Sequence, residues 1–324
     1  MQSGARHWTA LSVLAALTVS TGVSFVFFKA SVLRQEPFAI GESTWFIGAS
    51  NLVPRFGVGV LFLLALHGGR VLKLTRAEWT QGIFMALTSF SGCLFQVDGL
   101  QRTSAATTAF LTQFYVILIP IWWAIYHRRR PGWSVILGAL LVLAGVAVLA
   151  RIDWHTIRIG RGEAEVLLAA VFFSLLISSL NWPGFAANRS ERTSAAMFLI
   201  EGLLFAVVAL VTCRNSTNLT APYFSFSWVW LSLAASVFGT VGPFLLMNRW
   251  QRFVTTTEAG LLYSFSPVIA AFSEVFIPAP LSRIAEIDYA NQPLSLALVI
   301  GGALILGANV LIQLRPPPAP ALSA

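Results

Sequence analysis

The segment GALLVLAGV at residues 138–146 recurs at residues 302–310 as GALILGANV. Five of the nine positions are identical, namely the Gly, Ala and Leu that open each segment, the later Ala and the final Val. A weaker similarity joins SAATTA at 104–109 to TTTEAG at 255–260. Both pairs join a segment of the first half of the chain to a segment of the second half, so the sequence predicts two copies of one unit, over 1–155 and 156–315. The proline-rich end that follows predicts a disordered tail over 316–324.

The composition around these segments is that of a membrane protein. Hydrophobic residues make up 56% of the 324 residues and charged residues only 10%, with a mean hydropathy of +0.75. A soluble domain carries about 25% charged residues, because its surface faces water. A chain with less than half of that charge has mainly lipid to face, so we expect an all-α integral membrane protein.

A helix needs about 20 apolar residues to cross the hydrocarbon core. The chain offers about ten such stretches, separated by short polar connections rich in Arg, Pro, Gly and Asn. Their approximate bounds are 9–31, 43–67, 79–99, 104–126, 132–151, 163–183, 194–212, 227–248, 255–277 and 293–314. A unit of five spans crosses the membrane an odd number of times, so its second copy must insert upside down relative to the first. Inverted repeats of this kind enclose a binding cavity near the membrane midplane and support alternating access.

The positive charges predict orientation and exclude one class of partner. Most Arg and Lys residues fall in connections that would be cytoplasmic if the N-terminus is inside, as in the run of three at 128–130. We therefore expect both termini in the cytoplasm, in the inner membrane of a bacterium.

Short clusters between apolar runs do not form the continuous basic face that nucleic acid requires. The expected partners are a small-molecule substrate and the lipid bilayer, and the protein would be a monomer or a homodimer.

The chain resembles the drug/metabolite transporter superfamily, specifically its EamA type, from about residue 10 to residue 314. The segments that carry the resemblance are TGVSFVFFK at 21–29, PRF at 54–56, GLQRTSA at 99–105, AFLTQF at 109–114 with Pro120, and SPV at 266–268. The resemblance implies a ten-helix, two-repeat transporter of metabolites, amino acids or drugs, most often an exporter. One departure is that many members end the fourth and ninth spans with a Gly-Glu pair, where this chain has RRR at 128–130 and PAP at 278–280.

Ionisable residues inside spans are costly and are therefore functional candidates. Arg55 and Glu201 fall in the second and seventh spans, which the repeat makes counterparts, so a pair between them would join the two halves and break during gating. Snorkelling or local pairing is the alternative. We expect coupling or gating roles among Lys29, Glu201, Glu258 and Glu274. Glu258 suits proton coupling or, equally, simple compensation of a helix dipole.

Small polar residues recur at helical spacing on several spans. Ser20, Ser24 and Phe28 do so on the first span, and Ser174, Ser178 and Asn181 do so on the sixth. Such stripes line a cavity or allow helices to approach closely. The expected substrate-binding residues are Ser24, Phe28, Arg55, Gln113, Tyr115, Ser178, Asn181, Tyr263 and Ser264.

The sequence carries no H-E-x-x-H or P-loop motif, and its four histidines fall at span ends or in loops. We therefore expect no metal, no cofactor and no enzymatic activity. An intramembrane lipid-modifying enzyme that uses scattered carboxylates is the alternative, followed by a receptor or scaffold. Substrate identity, direction of transport and the coupling ion are open at this stage.

Overall fold

The computed structural model describes residues 2–126, 128, 133–149, 159–180, 182–250, 253–254, 259 and 262–314. Within these residues the chain is helical and contains no strand, as the composition predicts. The helices are α1 (Gln2–Gln35), α2 (Thr44–His67), α3 (Arg76–Arg102), α4 (Ala105–Thr112), α5 (Tyr115–Tyr126), α6 (Trp133–Leu149), α7 (Arg161–Leu180), α8 (Ser190–Thr212), α9 (Thr217–Thr220), α10 (Phe226–Ser236), α11 (Gly242–Trp250), α12 (Ser266–Phe276), α13 (Pro278–Ala285) and α14 (Leu296–Leu314). The predicted tail over 316–324 lies outside the described residues.

Local sequence explains where several helices begin. Thr75 and Glu78 form a capping box at the start of α3, in which each side chain binds the backbone N–H of the other residue. Ser43, Ser104 and Ser225 cap the N-terminal ends of α2, α4 and α10. Each side-chain oxygen accepts a hydrogen bond from the backbone N–H three residues later. These caps satisfy N–H groups that a helix end otherwise leaves without a partner.

The described chain contains six helices that are long and apolar enough to cross a membrane. Two bent pairs of helices also have the required length, and two shorter apolar helices cover Ile136–Val148 and Leu296–Leu311. Large apolar side chains remain exposed on the outside of the bundle, among them Leu61 (67%), Leu140 (59%) and Val211 (79%). Many exposed large apolar side chains are expected on a helical bundle that faces lipid.

Three predicted spans are irregular rather than continuous. The stretch predicted over 104–126 is interrupted at Gln113 and Phe114, between α4 and α5. The stretch predicted over 227–248 is helical throughout but changes to a π helix over Val237–Val241, between α10 and α11. Within the stretch predicted over 255–277, the chain turns at Phe265 immediately before α12. The predicted connections also contain structure, since α9 and α13 lie within them.

Helices from the two predicted halves interleave. Helix α1 packs against α10, α11 and α12, and α3 packs against α7 and α8. Helix α2 lies along α8, and α6 lies along α14. The core is therefore built between the halves.

Candidate functional site

Arg55 lies midway along α2 and binds the π-helical turn of the second half. Its Nε donates to Thr240 Oγ1 at 2.5 Å, and its Nη2 donates to the carbonyl of Gly239 at 3.2 Å. A π turn disturbs the regular i to i−4 hydrogen bonds and is frequent at functional sites. Ser20 of α1 also donates to this turn, at the carbonyl of Phe238 over 2.8 Å. Side chains from the first half thus satisfy the irregular backbone of the second.

Phe28 and Ser24 of α1 complete the surroundings of this arginine. The guanidinium carbon of Arg55 lies 5.4 Å from the centre of the Phe28 ring, a cation–π distance. A Cβ added to Gly239 would lie 2.8 Å from Ser24 Oγ and 3.1 Å from Arg55 Nη2, so only glycine permits this approach. We call Ser24, Phe28, Arg55, Gly239 and Thr240 the Arg55 cluster. Its first three members are predicted substrate-binding residues, and the fold brings them together.

Glu201 lies on α8 with 0% of its surface exposed. Neither of its oxygens has a hydrogen bond of good geometry from the residues that the structure describes, although the Ser89 side chain lies within reach. Ser89 and Cys93 of α3 lie beside it, and Arg55 approaches from α2. The expected direct pair between Arg55 and Glu201 is not formed, because the guanidinium is turned toward the π turn instead.

The side chain of Lys29, on α1, binds the C-terminal end of α3. Its ammonium donates to the carbonyl of Leu100 and, at 3.1 Å, to that of Thr103. The last carbonyls of a helix lack partners within it and favour a positive charge. Lys29 therefore caps α3 in this structure, and its role in coupling or gating stays a prediction.

Glu274 of α12 occupies the N-terminal end of α4. Its two oxygens accept from the backbone N–H groups of Ala105 at 2.8 Å and Ala106 at 2.7 Å. The hydroxyl of Tyr289 also approaches, at 3.4 Å. A negative charge at this end complements the helix dipole, so Glu274 joins the ninth predicted span to the fourth.

The residues predicted on the fourth and ninth spans gather near the two helix breaks. Gln113 is buried at the end of α4, and Tyr115 begins α5. Tyr263 lies near Tyr115, and Ser264 is buried immediately before the turn at Phe265. These four side chains are therefore placed by irregular backbone, which membrane proteins tolerate where it faces protein or a cavity.

Two cavities have defined walls. One encloses about 220 Å³ and is lined by Thr103, Ser104, Thr107, Glu163, Glu274, Gln292, Pro293, Ser295, Ala297 and Leu298. The other encloses about 150 Å³ and is lined by Phe84, Trp122, Tyr126, Leu175, Ser178 and Trp182. The first contains Glu274 and the second contains Ser178, whose hydroxyl turns back to the carbonyl of Ser174 at 2.7 Å. The Arg55 cluster borders neither cavity.

Two predicted site residues, Asn181 and Glu258, lie outside the described residues. Within the described ranges, His, Cys, Asp and Glu nowhere form a group of three or more that would hold a metal ion. Gly239, Thr240, Ser89 and Cys93 were not among the site residues predicted from the sequence. The segment GTVGP at 239–243 was the available signal for the π turn, because Gly and Pro inside a helical pattern indicate an irregularity.

The apolar helices and the lipid-facing surface define an integral membrane protein. Residues 8–151, which are nearly the whole of the first predicted repeat, match the EamA-like transporter family. An uncharacterized transporter of Archaeoglobus fulgidus is 26% identical over 304 residues, which cover 93% of this chain and 85% of that protein. This protein is therefore a membrane transporter, and the matches support the EamA type of the drug/metabolite transporter superfamily.

A solved structure described only as a crystal structure of a protein has the same fold. It aligns over 97% of this chain and 96% of its own, with a TM-score of 0.52 and 19% sequence identity. The alignment covers both predicted repeats, so the fold likeness extends beyond the half that matches the family.

Proposed function

We propose that this protein is a secondary transporter that exports small metabolites, amino acids or drugs by alternating access. The observation that carries the proposal is the Arg55 cluster, in which a partly buried cation of the first half binds irregular backbone of the second. Secondary transporters place substrate sites where such helices from two halves meet. A cation beside an aromatic ring and hydroxyls suits a substrate with polar or π-electron groups.

The packing of the helices supports two inverted repeats. In two repeats of five spans, α1 corresponds to α7, and α3 corresponds to α10. A two-fold axis that exchanges the repeats therefore turns the contact of α1 with α10 into the contact of α7 with α3. It likewise converts the contact of α1 with α12 into that of α7 with α5, and both members of each pair occur. Counterparts α2 and α8 pack directly together, as do α6 and α14, which carry the repeated segment. This exchange is what a two-fold axis between the halves requires.

Ten spans require both bent pairs and both shorter apolar helices to cross the bilayer. With the N-terminus in the cytoplasm of a bacterial cell, the ends of α1, α3 and α8 are external. Three contacts between the halves gather there, namely Asp98 with Arg161 at 2.8 Å, Glu42 with the backbone N–H of Arg214, and Glu274 with that of Ala105. These contacts have to separate for the transporter to open outward.

Transport in proteoliposomes tests the proposal. Purified protein would be reconstituted, and vesicles preloaded with single amino acids or cationic dyes would be followed for efflux. We expect efflux of at least one compound, its loss by at least about tenfold in Arg55→Ala, and normal efflux in Arg283→Ala, whose arginine is exposed on α13.

Two results would count against the proposal. The first is normal efflux by an Arg55→Ala protein that inserts into the membrane and elutes on purification as wild type does. That result would show that Arg55 does not contribute to the substrate path. Conversion of a lipid by detergent-solubilised protein, without any second compartment, indicates the lipid-modifying enzyme instead.

A further inference from the structure

Glu201 is a buried carboxyl group with no ion pair and no well-formed hydrogen bond among the described residues. It lies fully buried on α8, which packs against α2 and α3, and its one nearby hydroxyl, that of Ser89, makes no hydrogen bond of good geometry with either oxygen. By contrast, Glu274 is equally buried but binds two backbone N–H groups. The two acids therefore differ in what surrounds them, although both lie within spans.

An ionised carboxylate without hydrogen bonds is strongly unfavourable in such a place, whereas the neutral acid is tolerated. The charged group that faces Glu201 from α2 is Arg55, and the titratable group that faces it from α3 is Cys93, with Ser89 beside them. Arg55 donates from Nε and Nη2 to Thr240 and Gly239, and its guanidinium is turned toward the π turn rather than toward the carboxyl. In this arrangement the neutral form of Glu201 is favoured.

We propose that Glu201 is the proton-binding group of the transporter and that Arg55 alternates between the π turn and the Glu201 carboxylate. With Arg55 on Thr240 and Gly239, Glu201 holds a proton. When substrate or helix movement draws Arg55 away from the π turn, the guanidinium pairs with the carboxylate, and the proton leaves from the carboxyl oxygen to water. The inference rests on the proposed function, because the proton drives transport only if substrate binding displaces Arg55.

The geometry suits such an exchange. Arg55 and Glu201 lie on α2 and α8, the counterpart helices that pack together, so a shift between the halves changes their separation directly. The alternative partners of Arg55 are all on the second half, at Gly239, Thr240 and Glu201. Arg55 therefore keeps a partner in both states.

Infrared difference spectroscopy tests the proton site without a substrate. Purified protein at neutral pH should show the carbonyl band of a protonated carboxylic acid, and Glu201→Gln should lack it. Glu191→Gln, which alters an acid in the first turn of the same helix, should retain the band. A spectrum unchanged by Glu201→Gln overturns the assignment, whatever the protein transports.

Transport driven by a pH gradient tests the coupling. The probes are the dyes and amino acids that wild-type protein moves in proteoliposomes. Wild type should accumulate the probe at least tenfold more with the gradient than after its collapse by a protonophore. Glu201→Gln should lose this dependence while it still exchanges labelled for unlabelled probe across the membrane.

The outcomes separate the two proposals. Transport by wild type that ignores the gradient, or gradient dependence that survives in Glu201→Gln, overturns the proton role and leaves the transporter intact. Failure of wild type to exchange any probe contradicts the proposed function, whereas the infrared result still decides the protonation of Glu201.

Discussion

The carboxylate of Glu274 and the backbone N–H of Ala105 lie 2.8 Å apart, although 169 residues separate them in the sequence. The second oxygen of Glu274 accepts from Ala106 at 2.7 Å. The start of α4 is thereby held by α12, so the two interrupted spans of the fourth and ninth positions are fastened together. In the proposed orientation this contact closes the external end.

Replacing Glu274 should loosen this contact. In Glu274→Gln the amide oxygen still accepts one hydrogen bond, but its NH₂ group faces the second N–H and no negative charge meets the helix dipole. We expect a loss of stability of about 1–3 kcal/mol, seen as a lower apparent Tm of the detergent-solubilised protein. The control Glu286→Gln alters an acid whose side chain is 80% exposed, and its Tm should stay at the wild-type value. Equal Tm values for all three proteins would show that the Glu274 contact does not stabilise the fold.

Gly22 sets the distance between α1 and α12. A Cβ at this position would lie 2.6 Å from Ile269 Cβ and 2.7 Å from the carbonyl of Ser266, too close for either helix to keep its place. Gly22→Ala should therefore destabilise the protein by about 1–3 kcal/mol and reduce efflux. Gly57→Ala on α2 meets nothing within 4 Å, and alanine favours a helix, so its unfolding temperature should be unchanged or higher. A Gly22→Ala protein as stable as wild type would contradict the close packing of α1 on α12.

Glu42 fastens the loop before α2 to the loop after α8. Burial acts to raise the pKa of this carboxyl, but hydrogen bonds from the backbone N–H groups of Arg214 and Asn215 and from the Asn218 amide outweigh it, and the pKa falls below 4.5. A pKa lowered by folding contributes stability that is present above the unfolded value, near pH 4.5, and is lost as the pH falls through the lower folded value. The Tm difference between wild type and Glu42→Gln should therefore be largest near neutral pH and shrink below about pH 4.5. A difference that stays constant with pH would show that the ionised carboxylate is not what stabilises this contact.

The apolar periodicity of the chain predicted most helix positions, because a lipid-facing surface and a span length leave few alternatives. Ser24, Phe28 and Arg55 were all among the predicted substrate-binding residues, and the fold brings them together, but their role in binding stays a prediction. The partner of Arg55 was not predictable, since charge alone favoured Glu201 whereas the carbonyl freed by the π turn at Gly239 is invisible in a hydropathy pattern. Glu274 shows the same limit, because the sequence marks a buried acid but not which helix end it meets.

Alternating access requires that the Arg55 cluster be reached in turn from each of the two faces of the membrane. Its most direct test is Ser24→Cys in a chain whose Cys93 and Cys213 are replaced by serine, treated in sealed vesicles with a membrane-impermeant maleimide from either side. During transport we expect labelling from both faces, and none at Ala30→Cys, whose site on α1 is fully buried. Labelling from a single face under every condition, or from neither, would contradict alternating access at this site.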